Sequence, residues 1–217
     1  MNYDRFCYLH PPRPKTTIKP NTPHFAAMKD RKRWIAQLKL NGQRNVIFIS
    51  PDGEIEFWNR KNGPHLNYKA PAWLIEMIRS VIRPVQGTPG WTVLDGELLH
   101  MKDASVKNTL YWWDVLVYNG EYLVGETYEA RHRLLSETVV TSPTSSDGAI
   151  AKLTDNIWLA ENISPDQYDE MWKRTATSYV EGFVFKNLVG KLRPCIGESN
   201  NSEWQVRCRK PHGAYRF

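Results

Sequence analysis

Short apolar runs separated by tight-turn residues constrain this chain more than any other feature. Trp34 to Leu40 is followed by Asn41-Gly42, Asn45 to Ser50 by Pro51-Asp52-Gly53, and then comes Glu54 to Asn59. Asn-Gly suits a two-residue hairpin, so the pattern predicts an antiparallel meander. Trp91 to His100 and Leu110 to Tyr118 read as buried strands, the second closing on Asn119-Gly120, and Phe183 to Lys186 and Glu203 to Arg209 as the last two. Behind Pro71, the stretch Ala72 to Ile82 sets Trp73, Leu74, Met77, Ile78, Val81 and Ile82 at helical spacing. Glu126 to Glu137 has helix composition, Thr141 to Gly148 reads as a surface loop, and Ser164-Pro165-Asp166 is an N-cap before a helix to about Arg174. Strands and helices joined mainly by hairpins predict an α+β domain. Its antiparallel sheets carry flanking helices, and a cleft between two such sheets suits a nucleotide.

With 217 residues, 41% hydrophobic and 24% charged, the chain can bury a core as one large domain or two small ones. No window approaches the roughly 18 uninterrupted apolar residues of a membrane span, and the N-terminus lacks the apolar stretch of a signal peptide. A soluble, intracellular protein with no membrane partner is expected. Cys7, Cys195 and Cys208 are far apart and lack Cys-x-x-Cys spacing, so neither a disulfide framework nor a zinc site is indicated. The net charge of +6 is concentrated in residues 1–38, which hold eight basic side chains against Asp4 and Asp30. Pro11-Pro12-Arg13-Pro14 through Pro23 is too proline-rich for a helix or central strand. The chain therefore divides into a basic arm, residues 1–32, and a folded domain, residues 33–217. The arm is either a phosphate-binding clamp or a solvated leader, and charge alone favours neither.

Five segments embed polar or charged residues in apolar strands. Lys39-Leu40-Asn41-Gly42-Gln43-Arg44 holds an amine and a guanidinium on either side of a turn. Leu94-Asp95-Gly96-Glu97-Leu98 sets two acids around a glycine, and Tyr111-Trp112-Trp113-Asp114 offers a flat aromatic surface. Glu181-Gly182-Phe183-Val184-Phe185-Lys186 brackets a strand with an acid and a lysine. Trp204-Gln205-Val206-Arg207-Cys208-Arg209-Lys210 alternates basic residues along one strand face. Singly, each has an ordinary reading: a surface lysine before a hairpin, a turn glycine, core tryptophans, exposed strand ends, a blunted sheet edge. Their ordered co-occurrence asks for a shared chemistry.

In this order the segments resemble the covalent nucleotidyltransferase superfamily of ATP-dependent DNA and RNA ligases and mRNA capping enzymes. That family carries K-x-D-G-x-R, D-G-E, an aromatic-Asp segment, E-G-x-x-x-K and alternating basic residues on a strand. The resemblance runs from about Gln37 to Lys210, and Trp113 to Gly120, followed by Arg131 and Leu134, looks most like the ligases. It implies a nucleotidyltransferase (ATP-grasp-like ligase) domain and an ATP-dependent polynucleotide ligase. Such an enzyme forms a lysyl-AMP on Lys39, passes the AMP to a 5′-phosphate end and joins that end to a 3′-hydroxyl in DNA or RNA. ATP and Mg2+ (or Mn2+) are the implied cofactors, nucleic acid the implied partner, and a monomer is expected.

The same resemblance assigns roles. Lys39 would attack the α-phosphorus, although a lysine of pKa near 10.4 is only about 0.1% neutral at pH 7.4. Lys186, Arg207 and Arg209 clustered around it would destabilise its charge and offset charge on the α-phosphate. Trp113 would stack on adenine and Gln37 would read the base edge. Arg44 and Arg60 would hold the ribose or the phosphate of a nucleic-acid end. Glu181 would hold the metal, with Glu97 a metal or ribose contact. Three departures stand out. Asn41 replaces the usual aspartate, Arg207-x-Arg209 with Lys210 replaces Lys-x-Lys, and only eight residues follow Arg209, so no C-terminal oligonucleotide-binding barrel is expected. Two rivals remain: a GTP-dependent capping guanylyltransferase, which Lys186 disfavours, and a non-catalytic nucleic-acid-binding domain that stacks bases on Trp and Tyr.

Overall fold

Asn41-Gly42 does not close a hairpin. In the structure, a computed structural model describing residues 11–61, 63–82, 90–174, 177–195 and 200–210, the strands on its two sides belong to different sheets. The chain runs through β1 (Arg13–Ile18), α1 (Pro23–Ala27), β2 (Trp34–Leu40), β3 (Gln43–Ile49), β4 (Ile55–Trp58) and α2 (Ala72–Val81). β5 (Thr92–Leu99), β6 (Thr109–Tyr118), β7 (Glu121–Tyr122), α3 (Tyr128–Thr138), β8 (Ser145–Ser146), β9 (Ile150–Lys152) and β10 (Ile157–Ala160) follow. A 3-10 turn (Pro165–Gln167), α4 (Tyr168–Arg174), β11 (Val180–Asn187) and β12 (Asn201–Arg209) complete the described elements. A four-stranded sheet has the order β1-β12-β11-β2. The larger sheet has the order β4-β3-β5-β6-β10-β9-β8, with β7 paired to β6.

The Asn41-Gly42 corner departs from a hairpin for a packing reason. Asn41 donates its backbone N–H to Tyr179 O at 2.7 Å, tying the corner to the small sheet. Gly42 lies so close to β5 that a Cβ there would stand 2.4 Å from Glu97 Cγ and 2.6 Å from Leu98 O. The glycine is needed for close approach rather than for a left-handed turn. As a result Lys39 and Arg44 rise from opposite sheets. The Pro51-Asp52-Gly53 turn does join an antiparallel pair, β3 with β4, and Gly53 takes φ +80° there.

The sheets are not wholly antiparallel. β10 pairs parallel with β6 and β1 parallel with β12. α3 lies in the crossover from β6 to β10, a length that parallel strands require. One core packs α2 and α3 on the large sheet through Leu74, Ile78, Val81, Val93, Leu116 and Leu135. A second packs α1 and α4 on the small sheet through Phe25, Met28, Tyr168, Met171, Phe183 and Phe185.

That second core corrects the proposed arm, at least from residue 11 onward; residues 1–10 lie outside the described residues. Arg13–Ile18 is an edge strand, where proline is tolerated because one side of the strand needs no ladder donor. Pro23 opens a helix, its missing N–H costing nothing there, and Thr22 caps it by accepting from the Phe25 N–H at 3.4 Å. Phe25 is buried edge-on against Trp172 and Phe185, at ring distances of 5.3 and 5.8 Å. Phe25→Ala is therefore expected to destabilise the fold by about 3–5 kcal/mol. A drop in the urea midpoint checks this, whereas a detached arm would leave the midpoint unchanged.

Candidate active site

Register alone brings the small-sheet residues together. Lys39 stands opposite Gly182, which stands opposite Arg209, and Gln37 stands opposite Val184, which stands opposite Arg207. Alternate residues of a strand share a face, so Gln37 and Lys39, Val184 and Lys186, and Gln205, Arg207 and Arg209 all line one wall of a cavity of about 980 Å³.

Glu181 has the wrong parity for that face and reaches it through a bulge. The pairing of β11 with β2 slips between Val180 and Gly182, leaving Glu181 as the extra residue. Gly182 makes this possible. Its φ is +141°, and a Cβ there would stand 2.2 Å from Cys208 O. The turned-in carboxylate forms an ion pair with the Lys39 amine and lies 3.3 Å from Arg209 Nε. Lys186, Arg207 and Arg209 line the same cavity as Lys39, but the group in contact with its amine is this carboxylate.

The large sheet supplies the facing wall. Arg44 pairs with Glu97 across β3 and β5, and its Nε and Nη2 donate to the two oxygens of Asp95, which has no solvent exposure. A slip in the pairing of β5 with β6 leaves Trp113 as the extra residue of a second bulge. Its indole N–H donates to Asp95 Oδ2 at 3.0 Å. The ring expected to receive adenine is already partnered, because Arg44 Cζ lies 4.8 Å from its centroid and Lys186 Nζ 5.7 Å. Lys186 is buried, lies 4.3 Å from the Tyr128 ring centroid and donates to its hydroxyl at 3.3 Å. Beneath this layer, Arg131 and Asp114 form a fully buried two-pronged pair at 2.9 and 2.8 Å.

Burial sets the protonation of two groups. It lowers the Lys186 amine to about 7, against the pull of Asp114 and Asp95. It raises the Glu97 carboxyl to about 7, against Lys39 and Arg44. Burial also pushes the Asp95 carboxyl up, an effect that the Arg44 guanidinium opposes. Arg207 is lowered by burial and by neighbouring Arg209 and Arg13.

All ten residues singled out from sequence line this one cavity: Gln37, Lys39, Arg44, Arg60, Glu97, Trp113, Glu181, Lys186, Arg207 and Arg209. Arg60 is exposed among them. Among the described residues no group of three or more His, Cys, Asp or Glu is placed to hold a metal ion. Glu97 and Glu181 do face the same cavity and act on one another electrostatically. Two carboxylates suit magnesium, which keeps several waters and takes phosphate oxygens as further ligands. Sequence reasoning gave no role to Asp95, the anchor of Arg44, or to Tyr128 beside Lys186. The Asp95-Gly96-Glu97 segment could have signalled the first. Nor did it expect Arg13, which lines the cavity beside Pro11 and Pro14.

No protein-family model matches the chain. It is 22% identical over 214 residues to DNA ligase 1 of Saccharomyces cerevisiae, covering 88% of this chain and 27% of that protein. It is similar to mycobacterial DNA ligase D complexed with ATP and MES, with TM-score 0.61 and 16% identity over 94% of this chain and 61% of that one. The ligase domain of LigD from M. tuberculosis matches at TM-score 0.59 and 15% identity, covering 93% of this chain and 59% of that one. This chain thus spans about a quarter of the curated relative it matches. Its fold is that of these DNA ligase structures. More particularly, it is the fold of the LigD ligase domain.

The raised Glu97 carboxyl has a sign that can be measured. Between its ordinary 4.5 and about 7 the unfolded chain gives up this proton before the folded one does, so the group's contribution to stability falls as pH rises through that window. Glu97→Gln stays neutral throughout. The melting temperature of Glu97→Gln minus that of the wild type is expected to rise from pH 4.5 to 7 and to level off above. Thermal melts across this range check it, and a flat difference would contradict the assignment.

Proposed function

We propose that this chain is the adenylyltransferase of an ATP-dependent polynucleotide ligase. The observation that carries the reading is the Lys39 amine on one cavity wall, faced by Arg44 and Trp113 on the other and sharing that cavity with Lys186, Arg207 and Arg209. In the first step Lys39 Nζ forms a bond to the α-phosphorus of ATP, the bond from that phosphorus to the bridging oxygen breaks, and pyrophosphate leaves. The AMP then passes to a 5′-phosphate end, and attack by a 3′-hydroxyl joins the ends and releases it.

Each group has a task in that sequence. The amine must leave Glu181 before it can attack, and that carboxylate is placed to receive its proton. Lys186 is easily discharged when the cavity is empty and gains charge when an anionic phosphate arrives, because opposite charge favours the ammonium. Arg207 and Arg209 offset charge on the phosphates. Arg44 uses Nε and Nη2 on Asp95, which leaves Nη1 for a ribose or phosphate oxygen. An adenine on Trp113 would share the ring with that guanidinium. Magnesium held by Glu97 and Glu181 would supply further neutralisation of the phosphates. Arg60 and Arg13, exposed at the cavity, are suited to the nucleic-acid end. The relatives named above are DNA ligases, so nicked DNA is the substrate proposed first. Among the described residues no helix is long and apolar enough to cross a membrane.

Lys39→Ala is expected to abolish the covalent AMP adduct seen by intact mass, and with it joining from ATP. It should still seal a pre-adenylylated nick, because the amine is the nucleophile only in the first step. A Lys39→Ala protein that still takes label from ATP would overturn the reading.

A further inference from the structure

Gln37 is 2% exposed and lines the cavity, yet its Oε1 has no hydrogen-bond partner. The other end of the amide is engaged: Nε2 donates to Asn162 Oδ1 at 3.0 Å. What holds the amide this way round can be followed outward. His132 Nε2 meets the backbone carbonyl of Ala160 at 2.8 Å. A carbonyl can only accept, so this nitrogen must carry a proton. Burial lowers the His132 pKa and keeps the ring neutral, which makes Nδ1 an acceptor. Nδ1 lies 3.4 Å from Asn162 Nδ2, an amide donor, so Asn162 is held with its Oδ1 towards Gln37. The Tyr128 hydroxyl, also in reach of Gln37, gives its proton to Trp113 O at 3.1 Å and has only lone pairs to offer. Both neighbours therefore select the N–H side of the Gln37 amide and leave its buried oxygen without a partner.

We propose that Asn162 and His132 are positioning residues for base selection: a relay from the Ala160 carbonyl through His132 and Asn162 holds Gln37 with its acceptor towards the base. The inference rests on the cavity being a nucleotide site, as proposed above. A fixed acceptor matches the exocyclic N6 donor of adenine and opposes O6 of guanine, itself an acceptor. The preference for ATP over GTP then depends on a residue that need not touch the nucleotide. Without Asn162 the Gln37 amide keeps only the Tyr128 hydroxyl and turns more easily to present N–H to either base.

The test is calorimetric binding of ATP and of GTP to the full chain, with covalent adduct formation followed in the same samples. Asn162 is exposed, so its truncation leaves both cores untouched. Asn162→Ala is expected to lower the ATP to GTP affinity ratio on the order of tenfold or more, the scale of one unmatched buried polar group. Asn162→Asp still gives Gln37 an acceptor and should keep a ratio near that of the wild type, with His132 taking up a proton to meet the second oxygen. A ratio unchanged in Asn162→Ala, equal loss of both nucleotides, or Asn162→Asp behaving like Asn162→Ala would overturn the relay. Wild-type protein that prefers ATP and loses that preference in Asn162→Ala but forms no lysyl adduct would support the relay and sink the ligase reading.

Discussion

Every charge buried in this cleft has to be met by an opposite charge or a fixed dipole, and that constraint organises the site. Asp95 has no solvent exposure, and without Arg44 and the Trp113 indole its carboxylate would cost several kcal/mol to keep ionised. Asp114 and Arg131 repeat the arrangement one layer deeper, where both are buried. Lys186 has the weakest compensation, a tyrosine hydroxyl and two aromatic faces, and it is the cation that burial brings down to about 7. The deep pairs make a rigid floor. The shallower pairs, Lys39 and Arg209 with Glu181, can be exchanged for those that phosphates would form.

Backbone exceptions decide which residues reach that floor. A regular β11 would send Glu181 away from the face that carries Val184 and Lys186, and the bulge at Gly182 brings it back. A regular β6 would leave no extra residue at Trp113. The corner at Asn41-Gly42 carries the chain from one sheet to the other, so one hexapeptide supplies Lys39 to one wall and Arg44 to the other. Irregularities of this kind are common beside active sites because they re-aim one side chain while the rest of the ladder is kept.

This explains which parts were legible in the sequence. Strand and helix positions such as Thr92–Leu99 and Ala72–Val81 follow from apolar periodicity, which is local, and lie within about two residues of where it puts them. The residues that line the cavity were legible as ordered motifs, since a shared chemistry would restrict both type and spacing. Strand partners were not. Asn-Gly looks the same whether it closes a hairpin or packs against a third strand, and here Glu97 and Leu98, more than fifty positions away, decide. Ile150–Lys152 and Ile157–Ala160 are too short for periodicity to mark, and the parallel partner of the second is set by the crossover around α3. The proline-rich lead-in looked unstructured because edge strands tolerate what central strands reject.

The same lead-in bears on how the arginines of the cavity could respond to a substrate. Arg44 Nη2 donates to Pro12 O at 3.1 Å, and Arg207 Nε donates to Thr17 Oγ1 at 2.5 Å, so residues of the N-terminal strand region meet both walls. These two contacts join a charged guanidinium to a neutral acceptor, each contributing about 1.5–3 kcal/mol net. Releasing Arg44 from Asp95 as well would leave a buried carboxylate unpaired, at about 3–5 kcal/mol. Arg207 can therefore trade its hydroxyl for a phosphate oxygen at lower cost, whereas Arg44 stays on Asp95 and offers only its remaining N–H groups. The two arginines therefore differ in kind: Arg44 is fixed to a buried carboxylate, and Arg207 holds only a neutral hydroxyl that it can exchange.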